Sequence, residues 1–132
     1  MKRYLACLAA LALAFSAPVA AADTCTTLAA AIEHSIKVIA LQTVKAGADD
    51  SAPRASLYLQ QIGNELQMIA IDLSIMRDNR CPMPKEPLST SQYNGDAAKC
   101  HSDSVKWTFP SPPPSCDMSK WGRPAVSINL PN

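Results

Sequence analysis

Between Pro53 and Cys81, the residues Ala55, Leu59, Ile62, Leu66, Ile69, Leu73 and Met76 recur at alternating steps of four and three. That spacing draws one continuous apolar stripe along a helix, so the stretch predicts a long amphipathic helix. Pro53 suits its first turn, where a missing N–H costs nothing, and Ser51 or Ala52 stands at the cap position. From Met68 to Met76 only Asp72 and Ser74 are polar. A helix apolar on several sides is covered on several sides, so this second half needs more than one neighbour.

The first neighbour lies upstream. Ala29, Ile32, Ile36 and Ile39 keep the three-four spacing, with Thr43 and Ala46 continuing it more weakly. Asp23 and Thr24 are good N-cap residues, and Gly47 is suited to a left-handed helix end. A helix over roughly 24–46 follows. Glu33 and Lys37 are expected on its outer side, where an i,i+4 pair contributes only about 0.2–0.5 kcal/mol. The connection, Ala48-Asp49-Asp50-Ser51, is short and polar. Two long helices so joined make an antiparallel hairpin. Gly63 and Ala70 flank the stripe of the second helix, which admits either a close approach of the first helix or a merely tolerated glycine.

Residues 1–22 read as a secretory signal peptide. Lys2 and Arg3 precede an apolar run from Leu5 to Phe15, then Pro18 and the small-residue site Ala20-Ala21-Ala22. That run is shorter than the roughly 20 residues a bilayer span needs. Cleavage near Ala22 leaves no transmembrane segment and an exported chain, periplasmic or secreted. Removing Lys2 and Arg3 from twelve basic residues leaves ten against eleven acidic ones. This balance, without a basic cluster, disfavours nucleic acid and anionic membrane as partners.

Four of the five cysteines lie beyond the signal: Cys25, Cys81, Cys100 and Cys116. An even count in an exported chain reads as two disulfides. In an antiparallel hairpin the start of one helix lies beside the end of the other, which favours Cys25–Cys81 and leaves Cys100–Cys116. In the loop-entropy description these contribute about 4 and about 3 kcal/mol.

After Cys81, Pro82, Pro84 and Pro87 enforce an extended strap. Ser89 or Ser91 caps a short third helix reaching about Lys106, with Tyr93, Ala97 and Cys100 inward and Asn94-Gly95 weakening its middle. Trp107, Phe109 and the run Pro110-Ser111-Pro112-Pro113-Pro114 follow, the last favouring polyproline II. Asp117 starts one helical turn carrying Trp121, and residues 123–132 carry no periodic signal. The chain therefore reads as all-α. An antiparallel two-helix hairpin (23–80) is joined to a short third helix and a proline-rich irregular tail (81–132). The tail packs on the hairpin in the same domain, and two disulfides staple the whole.

Chemistry is thinly signalled. His34 and His101 are the only histidines, and no CxxC, CxxCH, HExxH or calcium-loop pattern occurs. No metal or cofactor is expected. Antiparallel register sets His34 across from Glu65 or Asp72, the one pairing on which a small enzyme or ligand carrier would rest. The leading expectation is a non-catalytic protein that binds another envelope or extracellular macromolecule, in the manner of an inhibitor, immunity protein or chaperone. A self-associating structural envelope protein is a further alternative. The candidate partner surface comprises Met68, Ile71, Ile75, Trp107, Phe109 and Trp121, with the proline strap expected to cover Met68–Met76.

Overall fold

Two long helices dominate the computed structural model, which describes residues 19–121. Helix α1 (Val19–Ala48) is followed by α2 (Ala52–Asp78) and, after the strap, α3 (Asn94–Lys106). Short 3-10 turns occupy Ser91–Tyr93, Pro114–Cys116 and Met118–Lys120. The expected signal peptide falls mostly on residues outside those described, as does the terminus from 122 onward.

Helix α1 is already formed at Val19, the first residue described, upstream of the caps expected at Asp23 and Thr24. Ala20, Ala21 and Ala22 are strong helix formers and extend it backward. Its threonines do not break it, because Thr26, Thr27 and Thr43 each donate their hydroxyl to the carbonyl four residues earlier. Gly47 remains inside the helix and does not take the left-handed conformation expected of it. The turn is instead held by Asp49, whose Oδ1 accepts from the Ser51 backbone N–H at 2.8 Å and whose Oδ2 lies 3.2 Å from Arg54 Nε. Ser51 is the N-cap of α2 through its carbonyl, which accepts from Ala55 N–H at 2.9 Å; its hydroxyl makes no cap bond.

The other end of α2 carries a feature that no glycine advertises. Arg80 has φ 57°, the left-handed region. Its N–H bonds the Arg77 carbonyl at 3.0 Å, and the Cys81 N–H bonds the Met76 carbonyl at 2.8 Å. These two bonds with a left-handed residue make a Schellman motif. It sets Cys81 beside α1, where the Cys25–Cys81 disulfide closes the open end of the hairpin with 5.5 Å between Cα atoms.

The third layer is α3, and it packs on α1. Tyr93, Ala97 and Cys100 are buried as one inward face. Because a 3-10 turn precedes α3, Asn94 and Gly95 lie at its start and not in its middle. Helix α1 is thus the central element, and Ser35, Ile36, Lys37 and Val38 are four consecutive buried residues on it. Lys37 is therefore not on an outer side. It pairs with Glu33, and its ammonium lies 5.3 Å from the centroid of the Tyr93 ring.

The tail folds against α3 through Cys100–Cys116, Cα atoms 4.7 Å apart. Pro113 is extended (φ −62°, ψ 153°) and buried, as a polyproline II residue at the start of a turn. Asp117 caps the last turn, accepting from the Ser119 backbone N–H at 3.2 Å and from its hydroxyl. Trp121 follows and is only 3% exposed, its indole N–H donating to the Ser115 carbonyl at 3.0 Å.

Candidate functional site

The row of α2 that faces α1 is Ala55, Tyr58, Ile62, Glu65, Ile69, Asp72 and Met76, all buried or half-buried. It shares Ala55, Ile62, Ile69 and Met76 with the predicted stripe but steps three-then-four instead of four-then-three. Leu59 and Leu66, expected inward, are 61% and 55% exposed. The shared residues recur every seven and fit either neighbouring row, so apolar spacing alone does not choose between them. The row actually used includes two carboxylates, which a reading by hydrophobicity passes over.

Burial raises the Asp72 carboxyl above the ordinary carboxylate pKa, by loss of solvation. The structure records no hydrogen bond or ion pair linking His34 to Glu65 or Asp72 among the described residues, and the His34 side chain is exposed. Nor do those three residues line either groove described below.

The strap leads to α3, which lies on α1, and leaves Met68, Ile71 and Ile75 of α2 exposed, although the strap's Leu88 packs, as Leu73 does, on the core cluster. Met68 and Ile71 are about half exposed, and Ile75 is exposed as well. With Leu57, Gln61 and Asn64 they form an outward row at steps of four and three: 57, 61, 64, 68, 71, 75. Such a row is a seam that another helix can fill. Between Ser56 and Ile75 the only ionisable side chains besides Tyr58 are Glu65 and Asp72, both in the inward row. The outward face is consequently uncharged; Leu59 and Leu66 are exposed on the other flank of the helix and are not part of it.

The aromatic residues of the tail divide. Trp121 belongs to the core, contrary to its expected place on a partner surface. Trp107 and Phe109 remain exposed, with ring centroids 5.5 Å apart at an interplanar angle of 58°.

Two grooves lie among the described residues. One of about 550 Å³ lies at the hairpin turn, lined in part by Asp49, Asp50, Arg54, Tyr58 and His101. The Arg54–Asp49 pair in it already holds the turn, which gives that carboxylate a structural task. The other, about 600 Å³, lies between α3 and the Cys116 turn. Among the described residues no group of three or more His, Cys, Asp or Glu side chains is placed to hold a metal ion, and no helix is long and apolar enough to cross a membrane. No family model matches the chain, and no curated protein or solved structure is similar to it.

Proposed function

We propose that this is an exported, non-catalytic protein that binds another macromolecule, and that the uncharged outward row of α2 is where the partner docks. The observation that carries the reading is the run of exposed Leu57, Met68, Ile71 and Ile75 at helical spacing on a helix whose other side is already occupied. Large apolar side chains in one contiguous exposed patch mark an interaction site more often than chance exposure does. A partner helix laid along the row would bury Met68, Ile71 and Ile75 as i, i+3, i+7 anchors, with Leu57 three turns earlier on the same side. The two disulfides favour an oxidising location, periplasmic or extracellular, reached after removal of the signal near Ala22.

Capture from the native envelope under oxidising conditions tests this, comparing the wild type with a Met68→Ser/Ile71→Ser variant. A specific partner retained by the wild type and lost by the variant supports the reading. No specific partner, or one kept equally by both, defeats it.

Self-association is the second reading, favoured by the absence of charge on the row: two copies meeting there bring no like charges together. Sedimentation that finds only monomer at high concentration removes it.

A further inference from the structure

The groove between α3 and the Cys116 turn has a composition unlike that of the α2 face. Lys99, Asp103 and Lys106 line it from α3, and their spacing of four and three sets them on one side of that helix. Pro113, Pro114 and Ser115 form the facing wall, Lys120 stands in its lining, and Trp107 follows directly from Lys106. A volume of about 600 Å³ is in the range of sites for small organic ligands.

The walls are held in place before any ligand arrives. Cys100–Cys116 ties one wall to the other, the buried Trp121 indole bonds the Ser115 carbonyl, and Pro113 is buried. A preformed groove spares a ligand the cost of ordering its receptor. The Ser115 hydroxyl is buried here without a hydrogen-bond partner, an uncommon state for a polar group.

Charge in the groove is positive but sparse. Among the described residues, the ion pairs of the fold involve neither Lys99 nor Lys106. Lys120 is partly neutralised by Asp117 Oδ2 at 3.3 Å, and Asp103 contributes one carboxylate. Lys99 and Lys106 are separated by roughly 10 Å along the helix axis. The groove thus offers spaced ammonium groups, an accessible indole, and a carboxylate able to accept from hydroxyls.

We propose that this groove binds an acidic oligosaccharide. The exposed face of Trp107 stacks on the apolar face of a sugar ring, and Lys99 and Lys106 pair with acid groups on sugars about a disaccharide apart. Asp103 accepts from ring hydroxyls. A polynucleotide fits less well, because a DNA strand offers Asp103 no row of ring hydroxyls to accept from, whereas each sugar of an acidic oligosaccharide does. This site is independent of the α2 row, and the failure of either leaves the other standing.

The test is titration of the oxidised protein with tetragalacturonate and with a sulfated tetrasaccharide, read by tryptophan emission and calorimetry. A ligand-dependent change in emission that Trp107→Ala abolishes reports Trp107 and not the buried Trp121. Saturable binding of either probe is expected. It should weaken about tenfold or more in Lys99→Gln/Lys106→Gln and in Trp107→Ala, with thermal midpoints unchanged, and be unaffected in Met68→Ser/Ile71→Ser. Methyl-esterified tetragalacturonate should bind at least tenfold more weakly than the acid. No binding of either acidic probe, equal binding of the esterified form, or tighter binding of single-stranded DNA would overturn the proposal.

Discussion

Lys37 and Tyr93 bury one another between α1 and the start of α3. The Lys37 ammonium sits 5.3 Å from the centre of a ring with no exposed surface, and the same ammonium pairs with Glu33 one turn earlier. A lysine stem lends apolar surface while its charge keeps two partners. This junction fixes α3 on α1, which leaves Met68, Ile71 and Ile75 of α2 exposed.

Tyr93→Ala should cost about 3–5 kcal/mol in denaturant unfolding, the range for emptying a fully packed aromatic site. Lys37→Met should cost less than Tyr93→Ala, because it keeps an apolar stem of similar size and leaves only the partly exposed Glu33 without its partner. A loss for Lys37→Met as large as that for Tyr93→Ala would mean that the charge, not the packing, holds the junction.

Arg80→Gly should stabilise the protein. Arginine at φ 57° carries a steric penalty that glycine does not, and the two bonds of the Schellman motif involve backbone alone. A gain of about 1 kcal/mol would raise the midpoint by roughly 4–8 °C in a domain of this size. A fall in midpoint would show that the arginine side chain has a structural task.

Gly63→Ala should also stabilise, by up to about 1 kcal/mol. A Cβ built at Gly63 meets nothing within 4 Å, so no close approach of α1 requires the glycine. Thermal melts of the single variant decide this, and no gain would point to an occupant of the face at that position.

Asp72 links stability to pH. Its folded pKa is raised by burial, so the folded state holds the proton more tightly than the unfolded chain does. The stabilisation from protonated Asp72 is fully present below the unfolded value, near 3.8, and is lost as pH rises through the higher folded value. Asp72→Asn should therefore melt above the wild type at pH 7, with the difference vanishing at about pH 3. A variant less stable than the wild type at pH 7 would show that the ionised carboxylate is well solvated or paired.

Reduction separates the two staples. Cys25→Ser/Cys81→Ser should cost about 4 kcal/mol and Cys100→Ser/Cys116→Ser about 3. Only the second pair should expose Trp121 to quenchers, since its indole is held by the Ser115 carbonyl beside Cys116. Equal quenching in both variants would contradict that arrangement.

Much of the frame was legible in the residues. Pro53 and the polar turn located the start of α2, and the antiparallel hairpin favoured Cys25–Cys81 with Cys100–Cys116, the pairing the structure has. The inward face of α3, with Tyr93, Ala97 and Cys100, followed from its spacing. Of the residues read as a candidate partner surface, Met68, Ile71, Ile75, Trp107 and Phe109 are exposed, whereas Trp121 closes the core. The groove beside Cys116 had no signature at all, because its lysines are scattered between Lys99 and Lys120 and only the tail's return brings them together.

Periodicity and the short connection, then, determined which segments are helical and that the first two run antiparallel, and they favoured the cysteine pairing that the structure has. These depend on local spacing and on short connections. Tertiary structure decided the rotation of α2, because Ala55, Ile62, Ile69 and Met76 serve two adjacent rows equally and only docking selects Glu65 and Asp72 over Leu59 and Leu66. It also decided which helix the third layer covers. A stripe states how much apolar surface a helix has, but the layer that buries it is chosen by where the strap and its disulfide bring α3 to rest. Here that place is α1, at Lys37 and Tyr93, and the apolar row of α2 is left open.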